Sequence, residues 1–225
     1  MERAHFPRLY PILDAQLVLR AVESDPQQRR ERLEGLVREL AEAGVRILQY
    51  RNKRDADAVV LEDARAMKES ARRTAERAGL VPMRLILNDR PALVAEAGWD
   101  GVHVGQGDLS AGQARLLVGN GVVGLSTHNH VQLMAADREP VDYIAVGPVF
   151  TTVSKSNPDP VIGLEGVRRA RGLTTKPLVA IGGITRETAG SVYEAGADSI
   201  AVIAAIFGAP LTPPEAVKDF LAIFK

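Results

Sequence analysis

The sequence predicts an α/β fold, a single (β/α)8 TIM barrel, on three observations. Short apolar runs rich in Val, Ile and Leu alternate with longer segments of helical period, most of those runs are near-continuous rather than alternating, and one junction motif recurs ahead of several of them. The runs predicted as strands are 9–14, 45–51, 84–89, 101–106, 122–128, 143–150, 177–184 and 199–207. Continuous apolar character is what a parallel strand covered on both faces requires. An open doubly wound sheet would share the alternation, but no G-x-G-x-x-G opens a helix after the first strand, which weakens its dinucleotide-binding form.

The junctions Ala41-Glu42-Ala43-Gly44, Ala95-Glu96-Ala97-Gly98 and Tyr193-Glu194-Ala195-Gly196 each precede a strand. Glycine tolerates the left-handed conformation that ends a helix, so each junction reads as a stop followed by strand entry. Between the second and third strands, Val59, Val60, Ala64, Met67, Ala71, Ala75 and Ala78 share one helical face. Arg65, Lys68, Arg72, Arg73 and Arg77 fall elsewhere, interleaved with Glu62, Asp63, Glu69 and Glu76, the mixture of a solvated face rather than a nucleic-acid patch.

Bulk properties narrow the function classes. The chain of 225 residues is long enough to bury one complete barrel, so one catalytic domain over residues 1–225 is expected. Lys plus Arg equals Asp plus Glu at 28 each, so no net field draws the protein to nucleic acid or an anionic membrane, and small-molecule substrates are the expected partners. The absence of cysteine excludes disulfides and thiolate metal sites. The first residues contain no signal-like apolar run and no later stretch is long enough to span a bilayer, so a cytoplasmic location is expected. The oligomeric state has no signature in the sequence.

In such barrels the chemistry sits at the C-terminal ends of the strands. Asp89 and Asp108 end adjacent predicted strands, where two carboxylates can share a hard cation completed by water and substrate oxygens, so Mg2+ is the implied metal. Asp108 could instead cap the helix that follows. The four histidines show no paired ligand spacing, which disfavours zinc. Arg51, Lys53 and Lys155, distant in sequence, reach the same rim and suit the oxygens of a diphosphate; Lys53, in a polar loop, could also be an ordinary surface charge. Gly182-Gly183 after the seventh run and the backbone at Ile203-Ala204 lie where barrels often bind phosphate through bare amides, although Gly-Gly alone also marks a tight turn.

Taken together, Gln49-x-Arg51-x-Lys53, Asn88-Asp89, Gly101-Val102-His103-Val104-Gly105-Gln106-x-Asp108, Gly124-x-Ser126-x-His128, Gly147-Pro148-Val149-Phe150-x-Thr152-x-Ser154-Lys155 and Ala180-Ile181-Gly182-Gly183-Ile184 resemble the motif series of the thiamine phosphate synthases, over nearly the whole chain. The resemblance implies joining of hydroxymethylpyrimidine diphosphate to a thiazole phosphate, an alkyl/aryl-type transfer that releases pyrophosphate. It implies that Gln49, Tyr50, Arg51, Asn52, Lys53, Asn88, Ser126 and Lys155 line the pyrimidine diphosphate site. By the same resemblance Thr152, Val153, Ser154, Gly183, Ile203 and Ala204 line the thiazole phosphate site, and Asp89 and Asp108 hold Mg2+. Arg51, Ser126 and Lys155 are the catalytic candidates. Ala204 stands where the family usually has Ser, Ser154 where Thr is commoner, and Gly107 where a larger residue is usual.

The chemistry these residues support is ionisation of the pyrimidine-methylene C–O bond, with cations neutralising the departing pyrophosphate, and capture of the resulting cation by the thiazole nitrogen. Ser126 and Gln49 are then positioning groups. Ser126 as a nucleophile is unattractive, because the sequence assures it no activating base and no nucleophile elbow. His103 reads as a packed, hydrogen-bonded histidine. The region around Ser126-x-His128 also resembles the thiazole tautomerases, in which that histidine would move a proton, so an isomerase is the runner-up function. A phosphate-ligand sensor without turnover is the non-enzymatic alternative.

Overall fold

Strands covered by helices on one side and by their own neighbours on the other can close on themselves, and these do. In the computed structural model, which describes residues 3, 6–152, 159–208 and 210–224, strands β1 (Leu9–Asp14), β2 (Ile47–Arg51), β3 (Arg84–Asn88), β4 (Gly101–Val104), β5 (Val122–Thr127), β6 (Tyr143–Val146), β7 (Leu178–Ile181) and β8 (Ser199–Val202) form a closed barrel in sequence order. Every neighbouring pair is parallel, including β1 with β8. Helices α1 (Ala15–Val18), α2 (Pro26–Ala43), α3 (Asp57–Ala78), α4 (Pro91–Ala97), α5 (Ala111–Val118), α6 (His130–Arg138), α7 (Gly163–Leu173), α8 (Arg186–Glu194), α9 (Ala204–Phe207) and α10 (Pro213–Leu221) occupy the connections and the end. Among the described residues no helix is long and apolar enough to cross a membrane.

Alternation along each strand separates two cores. Tyr10, Ile12, Ile47, Ile86, Tyr143 and Val179 pack with one another inside the barrel, whereas Leu13, Leu48, Tyr50, Leu85 and Leu87 pack outward against the helices. The predicted helix stops hold at two junctions, where Gly44 and Gly98 cap α2 and α4 in the left-handed conformation. At the third, α8 ends at Glu194 and is capped by Ala195 in the right-handed conformation, and Gly196, one residue on, carries the positive φ.

A repeat at the opposite end of the barrel escaped the sequence reading. Asp100, Asp142 and Asp198 each stand just before an even-numbered strand, and each accepts a backbone N–H from the first or second residue of the preceding odd one: Leu85 at 2.8 Å, Val123 at 2.8 Å and Leu178 at 2.9 Å. Each is also paired with a base, Lys68, Arg115 or Arg171. A carboxylate that joins two strands satisfies an amide and fixes their register together.

Two expectations are corrected. The predicted runs 143–150, 177–184 and 199–207 are strand only over Tyr143–Val146, Leu178–Ile181 and Ser199–Val202, and Ala204–Phe207 is a turn of helix, because an apolar run does not by itself mark where a strand ends or distinguish it from a helix. Asp63 is not on the solvated face of α3. It is buried and receives Arg29 Nε at 2.8 Å, so the helix carries a polar residue on its inner side that hydrophobic periodicity could not flag.

Candidate active site

The C-terminal rim gathers residues from β1 to β5. Asp89 follows β3 with φ of 61°, a left-handed conformation that costs a non-glycine residue energy and turns the carboxyl away from the strand path. Its N–H donates to the His103 carbonyl at 2.8 Å, which ties it to β4. Asp108, on the loop after β4, accepts the Gly105 N–H at 2.7 Å. The helix that follows is capped by Ser110 in a capping box with Gln113, so Asp108 is released from the capping role it could have had.

The two carboxyls interact directly. Asp108 is held above the ordinary aspartate pKa, first because the protein around its carboxyl strips away water and then because Asp89 faces it. Lys53 Nζ lies 2.9 Å from Asp89 Oδ2 and relieves part of the repulsion. Lys53 is thus ion-paired with Asp89 while its side chain stays about half exposed. Among the described residues there is no cluster of three or more metal-ligating side chains. Two carboxylates suit an ion that retains water and substrate oxygens in its shell.

Arg51 at the end of β2 pairs with Asp14 at the end of β1, its Cα neighbour in the register. Asp14, largely buried, was not among the predicted residues; besides pairing with Arg51, its carboxylate accepts the Gln16 N–H at 3.0 Å and caps α1. Its only sequence signal is its place at the end of the first run. Asn88, inward-facing on β3, has a buried Nδ2 with no hydrogen-bond partner among the described residues. Leaving such a donor unpaired is costly unless a ligand meets it.

Gln49 and Ser126 face the barrel interior. Gln49 Nε2 donates to Tyr10 Oη at 3.2 Å, Tyr10 and Tyr143 hydroxyls are 2.9 Å apart, and His103 spans from Tyr143 Oη at 2.9 Å to Ser126 Oγ at 2.8 Å. Ser126 thus has an imidazole beside it, which the sequence did not assure. His103 is packed and bonded as expected. His128 is held differently, with Nδ1 2.7 Å from the Gly147 carbonyl and Nε2 3.5 Å from Asp159.

Tyr50 and Asn52 do not present their side chains to the rim. Tyr50 points outward because it alternates with Gln49 and Arg51; its hydroxyl donates to Asp63, and its ring lies 6.3 Å from that of Trp99. Asn52 is buried below its loop, donating to Tyr50 Oη at 3.1 Å and Asp55 at 2.9 Å and accepting from the Arg54 and Asp55 amides. Arg90 donates to the Asn52 and Asp55 carbonyls across the gap to β3. Both residues shape the loop that carries Lys53.

On the other side of the mouth, Gly182 and Gly183 have positive φ, and their tightness has a local cause. A Cβ at Gly182 would lie 2.5 Å from Pro148 Cβ, and one at Gly183 2.4 Å from the Thr151 carbonyl, because the segment after β6 runs against β7 with Val149 and Phe150 donating to Ile181 and Gly182 carbonyls. Beside them Ile203 precedes α9 and Ala204 begins it, so the first amides of that turn have no helical acceptor. Thr152 is partly buried at the same side. Val153, Ser154 and Lys155 lie outside the described residues.

The family model described as thiamine monophosphate synthase matches residues 20–206. The chain belongs to that family. Among curated relatives, the thiamine-phosphate synthase of Koribacter versatilis is 48% identical over 96% of this chain and 95% of its own length. That of Chloroflexus aurantiacus is 39% identical over 90% and 86%. Among solved structures, the thiamine phosphate pyrophosphorylase of Pyrococcus furiosus superposes with a TM-score of 0.78 at 28% identity, covering 96% of this chain and 94% of that one. A geranylgeranylglyceryl phosphate synthase from Thermoplasma acidophilum, at 14% identity and a TM-score of 0.67, shares the barrel. Family membership accounts for the order and spacing of the motif series along the chain.

Proposed function

We propose that this barrel is a thiamine-phosphate synthase, transferring the hydroxymethylpyrimidine group from its diphosphate to the nitrogen of a thiazole phosphate. The observation that carries this reading is the facing pair Asp89 and Asp108 with Lys53 at 2.9 Å from one of them, an arrangement of charge suited to a metal diphosphate. The donor set fits Mg2+, since both ligands are hard oxygens and their mutual repulsion is relieved by a cation between them. When bound there, Mg2+ would withdraw charge from the diphosphate oxygens and so ease loss of pyrophosphate.

The protein's own residues do the rest. Arg51, aimed by Asp14, and Lys53 neutralise the departing pyrophosphate, and Lys155 is assigned the same task. Asn88 Nδ2 donates to a substrate oxygen. The C–O bond to the methylene breaks with its electron pair leaving on pyrophosphate, the aminopyrimidine delocalises the positive charge, and the thiazole nitrogen lone pair forms the new C–N bond. Gln49 and Ser126 orient the ring, and preorganised charge is the main source of acceleration. The thiazole phosphate would rest on Thr152, Val153, Ser154, Gly183 and the amides at Ile203 and Ala204, where a backbone N–H replaces the hydroxyl that Ala204 lacks. The isomerase alternative relies on His128 and has no use for Asp89, Asp108 and Arg51 together.

Incubation with both substrates and Mg2+, followed by mass detection of thiamine phosphate, tests the reading. Product that disappears with EDTA supports it. Binding without turnover points to the sensor, and conversion of a thiazole alone points to the isomerase.

A further inference from the structure

The interior chain Gln49, Tyr10, Tyr143, His103, Ser126 draws a residue from each of β1, β2, β4, β5 and β6. Its three middle members are buried, at 1%, 0% and 7% exposure for Tyr10, Tyr143 and His103. Burial raises the pKa of both phenols, so each oxygen carries one hydrogen and can donate once.

Counting donors along the chain gives it a direction. Gln49 Nε2 donates to Tyr10 Oη, and assigning the Tyr10 hydrogen to Tyr143 Oη, 2.9 Å away, keeps one hydrogen for each contact. Assigning the Tyr143 hydrogen in turn to His103 Nδ1 makes Nε2, 2.8 Å from Ser126 Oγ, the protonated nitrogen. Ser126 accepts from His103, and its own hydrogen is left for a ligand; Gln49, donating inward, leaves Oε1 as its acceptor. The stacked His103 and Tyr143 rings, 5.5 Å apart at 21°, and Phe6, 5.2 Å from Tyr143, hold the members in place.

We propose that Tyr10, Tyr143 and His103 are positioning residues that make Gln49 an acceptor and Ser126 a donor toward an aromatic heterocycle bearing an amino group and ring nitrogens. This rests on the synthase reading above. The amino N–H meets Gln49 Oε1 and a ring nitrogen meets the Ser126 hydroxyl. The same direction denies His103 the role of a base for Ser126, since the nitrogen facing the hydroxyl already holds its proton. It also gives Gly124 a purpose: a Cβ there would fall 2.0 Å from Tyr143 Cζ, in the space the phenol needs to reach His103.

The experiment is 15N NMR of the histidine-labelled full chain together with steady-state kinetics of the wild type, Tyr143→Phe and Tyr10→Phe. His103 is expected as the Nε2–H tautomer in the wild type and in Tyr10→Phe, with that preference lost in Tyr143→Phe. Both variants should raise KM for the pyrimidine diphosphate about five- to tenfold, the scale of one misdirected hydrogen bond, with KM for the thiazole phosphate unchanged. An Nδ1–H tautomer in the wild type overturns the proposal, as does an equal rise in both KM values with the tautomer preserved in Tyr143→Phe. A wild type that forms no thiamine phosphate would refute the synthase reading, while the tautomer would still judge the relay by itself.

Discussion

Lys53 Nζ sits 2.9 Å from Asp89 Oδ2, so the loop after β2 supplies the counter-charge for a carboxylate that also faces Asp108. A divalent ion at the pair would take over that task and free Lys53 for substrate. Mg2+ alone should therefore stabilise the fold, by about 2.7 kcal/mol at a hundredfold excess over its Kd. Thermal melts with and without MgCl2 check this. Asp89→Asn and Asp108→Asn should each lose most of the shift, and a full shift in both would remove the pair from metal binding.

The Arg51–Asp14 pair separates aiming from contact. Asp14 touches the guanidinium and nothing of the substrate need touch Asp14, so Asp14→Ala should lower kcat/KM by about tenfold, the worth of one charge-assisted hydrogen bond. Arg51→Ala should lower it further. Equal losses in the two variants would mean that Asp14 itself contacts substrate.

Tyr50 offers a test of which face of β2 matters. Tyr50→Phe removes the hydroxyl shared with Asp63 and Asn52 and should destabilise the fold by about 1–2 kcal/mol in urea denaturation. KM for the diphosphate should stay within about twofold, because side-chain alternation keeps the ring outside the barrel. A large change in KM at normal stability would return Tyr50 to the site.

The difference between Gln49 and Tyr50 also marks what the sequence could reveal. Apolar runs, glycine stops and polar strand ends are local, so the barrel and the cluster Arg51, Lys53, Asn88, Asp89 and Ser126 at one mouth were legible. Which of two neighbouring residues points inward depends on register, and a motif written as a string hides it. Asp14 escaped because its partner lies on another strand, and Asp63 because its partner, Arg29, lies on another helix. Neither contact leaves a periodic trace. The direction of the Tyr10–Tyr143–His103 chain required distances that no spacing supplies.

Asp142 links stability to pH. Burial pushes its carboxyl up, but the Val123 N–H and Arg115 outweigh that and hold it below the ordinary aspartate value. Between the lowered folded value and the unfolded one near about 3.9 the unfolded chain binds more protons, so stability rises with pH across that window. The contribution is fully present above the unfolded value and disappears as pH falls through the folded one. Asp142→Asn should flatten this part of a urea-derived stability profile while leaving turnover per folded molecule unchanged. An unaltered acid limb would mean that the clamp contributes nothing through its charge.

Gly124 is where packing and the interior relay meet. A methyl group there would lie 2.0 Å from Tyr143 Cζ and 2.5 Å from Cε1, both parts of a rigid ring enclosed by Phe6, Tyr10 and His103. The methyl can be accommodated only by shifting that ring or the strand, so Gly124→Ala should destabilise by about 1–3 kcal/mol. Shortening the opposing side chain should relieve the clash: Tyr143→Leu combined with Gly124→Ala should be more stable than the sum of the two single losses predicts, as expected for residues in contact. Kinetics should not recover in parallel, because leucine makes room for the methyl without supplying a hydroxyl to direct His103. A double variant with additive stability losses would show that Gly124 is required for some reason other than the space it leaves for the phenol.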